Sequence, residues 1–161
     1  MAIVKVLLSG LAGAATVTLL NETVRRVAPE TAPRMEILGM RAMKAGFEAA
    51  DAEVPPRHEL IKMAFGGEAI SNTAYYSLVG LAEPESAVGV GAALGLAAGI
   101  GAVVLPGPMG LGDEPSGRSP ATMALTVAWY TMGGLAAGLV ARAVGREMDR
   151  RSSNGTEQNE H

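Results

Sequence analysis

The chain has 161 residues, 48% hydrophobic but only 4% aromatic, with 21 glycines, a net charge of -3 and a mean hydropathy of +0.24. Without cysteine it cannot form disulfides, thiolate metal sites or iron-sulfur clusters, and two histidines, His58 and His161, are too few for His-built haem or zinc sites. No metal and no cofactor is therefore expected.

The basic residues sit beside apolar blocks instead of forming a nucleic-acid stripe, so the expected partner is the lipid bilayer and not nucleic acid. Three blocks carry almost no charge over about 18 residues or more, the length that spans roughly 30 Å of hydrocarbon. A fourth is as long but more polar. The expected fold class is an all-α membrane protein, a four-transmembrane-helix bundle with spans near 2–20, 58–81, 86–105 and 121–141. One interfacial amphipathic helix, 34–49, lies between helices 1 and 2, all within a single membrane domain over 1–150, and 151–161 reads as a disordered polar tail.

The first block, Ala2 to Leu20, holds a single charge, Lys5, close enough to its end to snorkel to the interface. A cleaved signal peptide is the alternative, set aside because the apolar stretch continues for a full span. Ser9 and Gly13, four apart, let a second helix approach closely. Glu22 and Arg26 pair across one helical turn, and Pro29 and Pro33 then break the chain.

From Arg34 to Ala49 the apolar residues recur at helical period. Met35, Leu38, Ala42 and Ala45 share a face with Met43 and Phe47 nearby, which predicts a helix lying in the headgroup region. Pro55 and Pro56 end it and open the next helix.

The second long segment carries the polar residues. At 100° per residue Ser71, Asn72 and Tyr75 fall within about 60° of Glu68, so the polar groups form one stripe that other helices must cover. His58 and Glu59 have no zinc motif behind them, because position 62 is Lys62. In the third span Gly91, Gly95 and Gly99 repeat every four residues, and Gly134 and Gly138 do so in the fourth after Trp129 and Tyr130. That spacing favours close helix packing, within the chain or between copies of it.

Charge and packing disagree about topology. Basic residues mark the cytoplasmic side, yet four spans place Arg25, Arg26, Arg34, Arg41, Lys44 and Arg57 opposite Arg142, Arg146, Arg150 and Arg151. Three spans, with 58–81 not crossing, would unite them. The four-span reading is preferred because the surface beside the stripe, Ile70, Leu78, Val79 and the alanines, is lipid-compatible. The basic first connection then puts the N-terminus outside.

A set of short motifs completes the picture: Pro55-Pro56-Arg57, then Gly66 and Gly67 followed by Tyr75, then the glycine stripe running to Leu105-Pro106 and Gly110-Leu111, and last Trp129, Tyr130, Gly133 and Gly138. In these the chain resembles a group of uncharacterised bacterial inner-membrane proteins similar to YagU. The resemblance implies a multi-pass four-helix protein of the bacterial inner (cytoplasmic) membrane and supplies no activity.

Counted as depth along the spans, Glu68 meets Tyr130 from the fourth helix, Gly13 and Thr16 from the first, and Ala97 to Gly99 from the third. The expectation is a structural or accessory bundle with a polar interhelical seam of Glu68, Ser71, Asn72, Tyr75 and Tyr130. A homo-oligomer or a complex with another membrane protein would suit it. The alternative makes the same residues a proton or ligand site of a proton- or cation-linked transporter or channel component. No enzyme is expected, since a carboxylate and a phenol supply neither nucleophile nor oxyanion donors.

Overall fold

Proline and glycine punctuate the chain into helices whose lengths follow their apolar runs. The structure, a computed structural model, describes residues 2–157 and the side chains of 2–153. Its helices are α1 (Ala2–Val27), α2 (Met35–Ala49), α3 (Arg57–Ser77), α4 (Ala87–Val104), α5 (Glu114–Gly117) and α6 (Pro120–Glu157), with a 3-10 turn at Leu78–Leu81. No strand occurs among the described residues. Pro29 follows α1, Pro56 caps α3 and Pro106 follows α4. Pro120 opens α6, where its missing N–H costs nothing, and the Ser119 hydroxyl accepts the Thr122 N–H at 3.1 Å as an N-cap.

Three helices, α1, α4 and α6, are long and apolar enough to cross a membrane, which marks the chain as a membrane protein. α3 is not among them. It nevertheless runs antiparallel along α1. Gly80 meets Val6, Gly10 meets Ser77, Gly13 meets the Tyr76 ring, and the Arg25 guanidinium sits 5.9 Å from the Phe65 ring centre.

α6 is the central element, with α4 on one face and α1 on another, while α1 also carries α3 and α3 carries α2. The α4–α6 contact is made by backbone. A methyl group added at Gly99 would stand 2.7 Å from Val127 Cα and one at Gly138 would stand 2.6 Å from the Ala87 carbonyl oxygen. Gly91 and Gly134 face each other directly, and Gly95 lies on the Tyr130 carbonyl. Helices that touch this closely gain dispersion contact over their whole length, the force available to them in lipid. The glycine face of α4 is thereby covered by α6 and does not remain free for a second copy of the chain.

The core gathers where α1, the end of α3 with its 3-10 turn, the start of α4 and α6 converge: Val17, Tyr76, Val79, Ala87, Ala137 and Ala141. Val79 is fully buried there, not on the lipid-compatible surface expected for it, because it follows Asn72 and Tyr76 at helical spacing on the face that α1 and α6 cover. Ile70 and Leu78 do face outward, 73% and 49% exposed.

The ends are tied by long-range hydrogen bonds. At one end Arg118 donates to the carbonyls of Pro29, Glu30 and Ala32. Arg41 beside it donates to the Leu111 carbonyl at 2.7 Å and to Glu114 at 2.9 Å. At the other end Lys5, expected to snorkel, donates instead to the Ala82 carbonyl at 3.1 Å. Glu22 binds both Arg25 and Arg26, the latter at 3.1 Å as its spacing predicts. Residues 151–157, polar enough to read as a disordered tail, continue α6, where Arg151 pairs with Glu147 at 2.8 Å one turn back. The remainder of that stretch, 158–161, lies outside the described residues.

Candidate functional site: a polar-ended cavity between four helices

α3 and α4 barely meet along their length, and α2 lies across the opening between them on the outer side. The space left is a cavity of about 650 Å³. Its walls are Met35, Leu38, Gly39, Ala42 and Met43 from α2, Ala97, Ala98, Gly101 and Ala102 from α4, and Leu105, Met109 and Leu111 from the connection after it. α3 and α6 supply the polar end, Glu68, Ser71, Asn72, Tyr75 and Tyr130. An apolar chamber with a few convergent polar groups is the usual form of a small-molecule site.

The stripe on α3 therefore comes together with Tyr130, as depth along the spans predicts, but around a space and not as a packed seam. Each polar residue stands differently. Tyr75 is anchored: its hydroxyl donates to the Leu94 carbonyl of α4 at 2.9 Å, one of the few ties between α3 and α4. Ser71 is exposed and its hydroxyl donates to the Glu68 backbone carbonyl at 3.2 Å.

Asn72 is 8% exposed and lies against the Tyr130 side chain, yet its Nδ2 has no hydrogen-bond partner. A buried amide donor left unmade is costly, so its position facing a cavity is informative. The Glu68 carboxylate is half-buried, and the charges acting on it are Glu36 and Arg25, neither of which lines the cavity. It is the one carboxylate of the lining, which includes no Lys or Arg.

Three expected neighbours do not join: Gly99 faces Val127 of α6, and the other two belong to α1. The Thr16 hydroxyl donates back to the Ala12 carbonyl at 2.8 Å within α1, and Gly13 is occupied by the ring of Tyr76. α1 packs on the other side of α3, away from the stripe.

Tyr76 is the residue that sequence reasoning missed. Fully buried, it lies between Gly13 of α1 and Gly133 of α6 and donates to the Tyr130 carbonyl at 2.7 Å. Its ring meets that of Tyr75 edge to face at 5.6 Å. The available signal was its neighbour's assignment: if Tyr75 belongs to the polar stripe, Tyr76 projects about 100° away, toward the helix on the other flank. The wall residues of α2 and α4 carry no polar mark and were legible only as helix faces.

Comparison of the chain with protein-family models, with curated proteins and with solved structures gave no match. The functional reading therefore rests on the site itself.

Proposed function

We propose that the chain is a four-span membrane bundle whose Glu68 cavity binds a small ligand, as a transporter or channel component would. The observation that carries this is the lining: Glu68, Ser71, Asn72, Tyr75 and Tyr130 border a space of about 650 Å³ instead of closing on one another. A crossing α3 is supported by its pairing with α1 from Arg25 to Val6, about 28 Å of helix at 1.5 Å per residue. If α1 crosses, its antiparallel partner crosses beside it. On this reading α2 lies at the headgroup level, the N-terminus is outside, and the resemblance to YagU-like proteins supports a bacterial inner-membrane location. We assign it no catalytic chemistry.

The test uses the cysteine-free background. Ala98→Cys on the cavity wall should react with a small maleimide in membranes at a rate near that of Gly107→Cys in the exposed connection, while Ala137→Cys in the core stays unreactive. Equal protection of positions 98 and 137 would mean a closed seam and overturn the reading.

A second reading, a structural or accessory bundle, is favoured by one set of contacts. The tyrosine hydrogen bonds to Leu94 and Tyr130 and the backbone-to-backbone glycine interface hold the helices of one chain together.

A further inference from the structure

Resting on the ligand-site reading, we infer that the cavity selects a lipophilic amine: an apolar body carrying an ammonium group with a hydrogen-bond acceptor close to it. Three features of the lining specify the three parts of such a molecule.

The body is set by Met35, Leu38, Met43, Leu105, Met109 and Leu111, flexible or branched apolar side chains that adapt to an apolar guest without a fixed shape. The ammonium is set by Glu68. It is the lining's single carboxylate, no Lys or Arg shares the lining, and Arg25 pairs with Glu22 and Glu36 instead, so an incoming cation finds an acceptor that no protein cation occupies. Tyr75 and Tyr130 border the same end, and aromatic side chains favour ammonium groups over neutral ones. The acceptor atom is set by Asn72. Its buried Nδ2 lacks a partner, and a hydroxyl, ether or carbonyl oxygen next to the ammonium would satisfy it. An acidic guest is disfavoured because it would bring a second negative charge to Glu68, and a purely apolar one would leave both Glu68 and Asn72 unpaired.

The same chemistry is carried by free amines and by the headgroup of phosphatidylethanolamine. The experiment follows the maleimide reactivity of Ala98→Cys in phosphatidylglycerol nanodiscs, with Gly107→Cys as a control for changes at the membrane surface. The amine 2-amino-1-naphthylethanol, the neutral alcohol naphthylethanediol and the anion naphthylglycolate, which share a hydroxyl beside the varied group, are compared at equal concentration.

The amine should slow labelling with an apparent affinity about tenfold better than that of the alcohol, and the anion should not protect. Glu68→Gln should remove the preference for the amine over the alcohol, and Asn72→Ala should weaken amine protection without creating protection by the anion. Adding phosphatidylethanolamine to the nanodiscs separates the sources. If it slows labelling in the parent protein and not in Glu68→Gln, the amine in the membrane is the lipid, and if it has no effect, the site serves free amines.

Equal protection by amine and alcohol, or a preference for amine that survives Glu68→Gln, would overturn the assignment of ligand class while leaving the cavity a binding site. No protection by any of the three, with Ala98→Cys still reactive, would overturn it equally. An unreactive Ala98→Cys would instead remove the ligand-site reading beneath it.

Discussion

α4 shows two faces made of nearly the same residues, and they do opposite things. Gly91, Gly95 and Gly99 press against α6 until backbone touches backbone, while Ala97, Ala98, Gly101 and Ala102 border an open cavity. Smallness alone does not close an interface. On the α6 side Gly91 meets Gly134 while Gly95 and Gly99 lie on the backbone of Tyr130, Thr131 and Val127, and the two helices settle at the distance their backbones allow. On the α3 side the opposing residues are Glu68, Asn72 and Tyr75, with α2 laid across the top, so the small residues of α4 leave space instead of filling it.

The strongest attack on this comparison is a matched pair of substitutions on α4. Gly91→Leu should destabilise the bundle by about 3 kcal/mol or more, since even a Cβ there would collide with Gly134. Ala98→Leu, the same enlargement on the cavity face, should leave the thermal midpoint of the detergent-solubilised protein nearly unchanged, because the added atoms enter existing space. Similar losses from both would mean that the two faces are equally packed.

Smaller effects sharpen the contrast between a tyrosine that holds the bundle and one that borders the site. Tyr76→Phe removes the hydrogen bond to the Tyr130 carbonyl from a fully buried position and should cost about 1 kcal/mol. Tyr75→Phe, half-buried, should cost less in the same unfolding measurement while raising the reactivity of Ala98→Cys, as the tie to Leu94 is released.

The smallest effect concerns the cover of the cavity. The hydrogen bond and charge of Arg41 hold the Glu114 carboxyl below its ordinary value of 4.5. A lowered folded value means that the contact contributes fully above 4.5 and is lost as the pH falls through the lowered value. Both groups are solvent-exposed, so stability should barely change. A spin label at Ala45→Cys on α2 should nonetheless become more mobile on acidification. Glu114→Gln should show that mobility already at neutral pH, and equal mobility at both pH values in the parent would remove Arg41 and Glu114 as the fastening of α2.

Much of this was legible in the residues because helical period and hydropathy are local properties. The helix boundaries near Pro29, Pro56, Pro106 and Pro120 follow from proline chemistry, the four-residue glycine step of α4 announces a close contact, and Glu68, Ser71, Asn72 and Tyr75 fall on one stripe. Other features were not local. Tyr76 draws its role from Gly13 and Gly133, which are remote in the chain, and Val79 is buried because α1 and α6 cover the face it shares with Tyr76. The polar residues 151–157 read as tail because their composition offers no core to pack on, yet they extend a helix already nucleated by the apolar half of α6.

By itself the sequence determined that this is an all-helical membrane protein with one polar stripe and one glycine stripe, since each depends only on spacing along a helix. Which helix each stripe meets, and whether the meeting closes, was decided by tertiary structure. α6 brings Gly134 to Gly91 and the backbone of Tyr130 and Val127 to Gly95 and Gly99, and so closes on the glycine stripe. α4 and α2 bring no polar partner to Glu68 and Asn72, so the four helices meet around a cavity at that stripe.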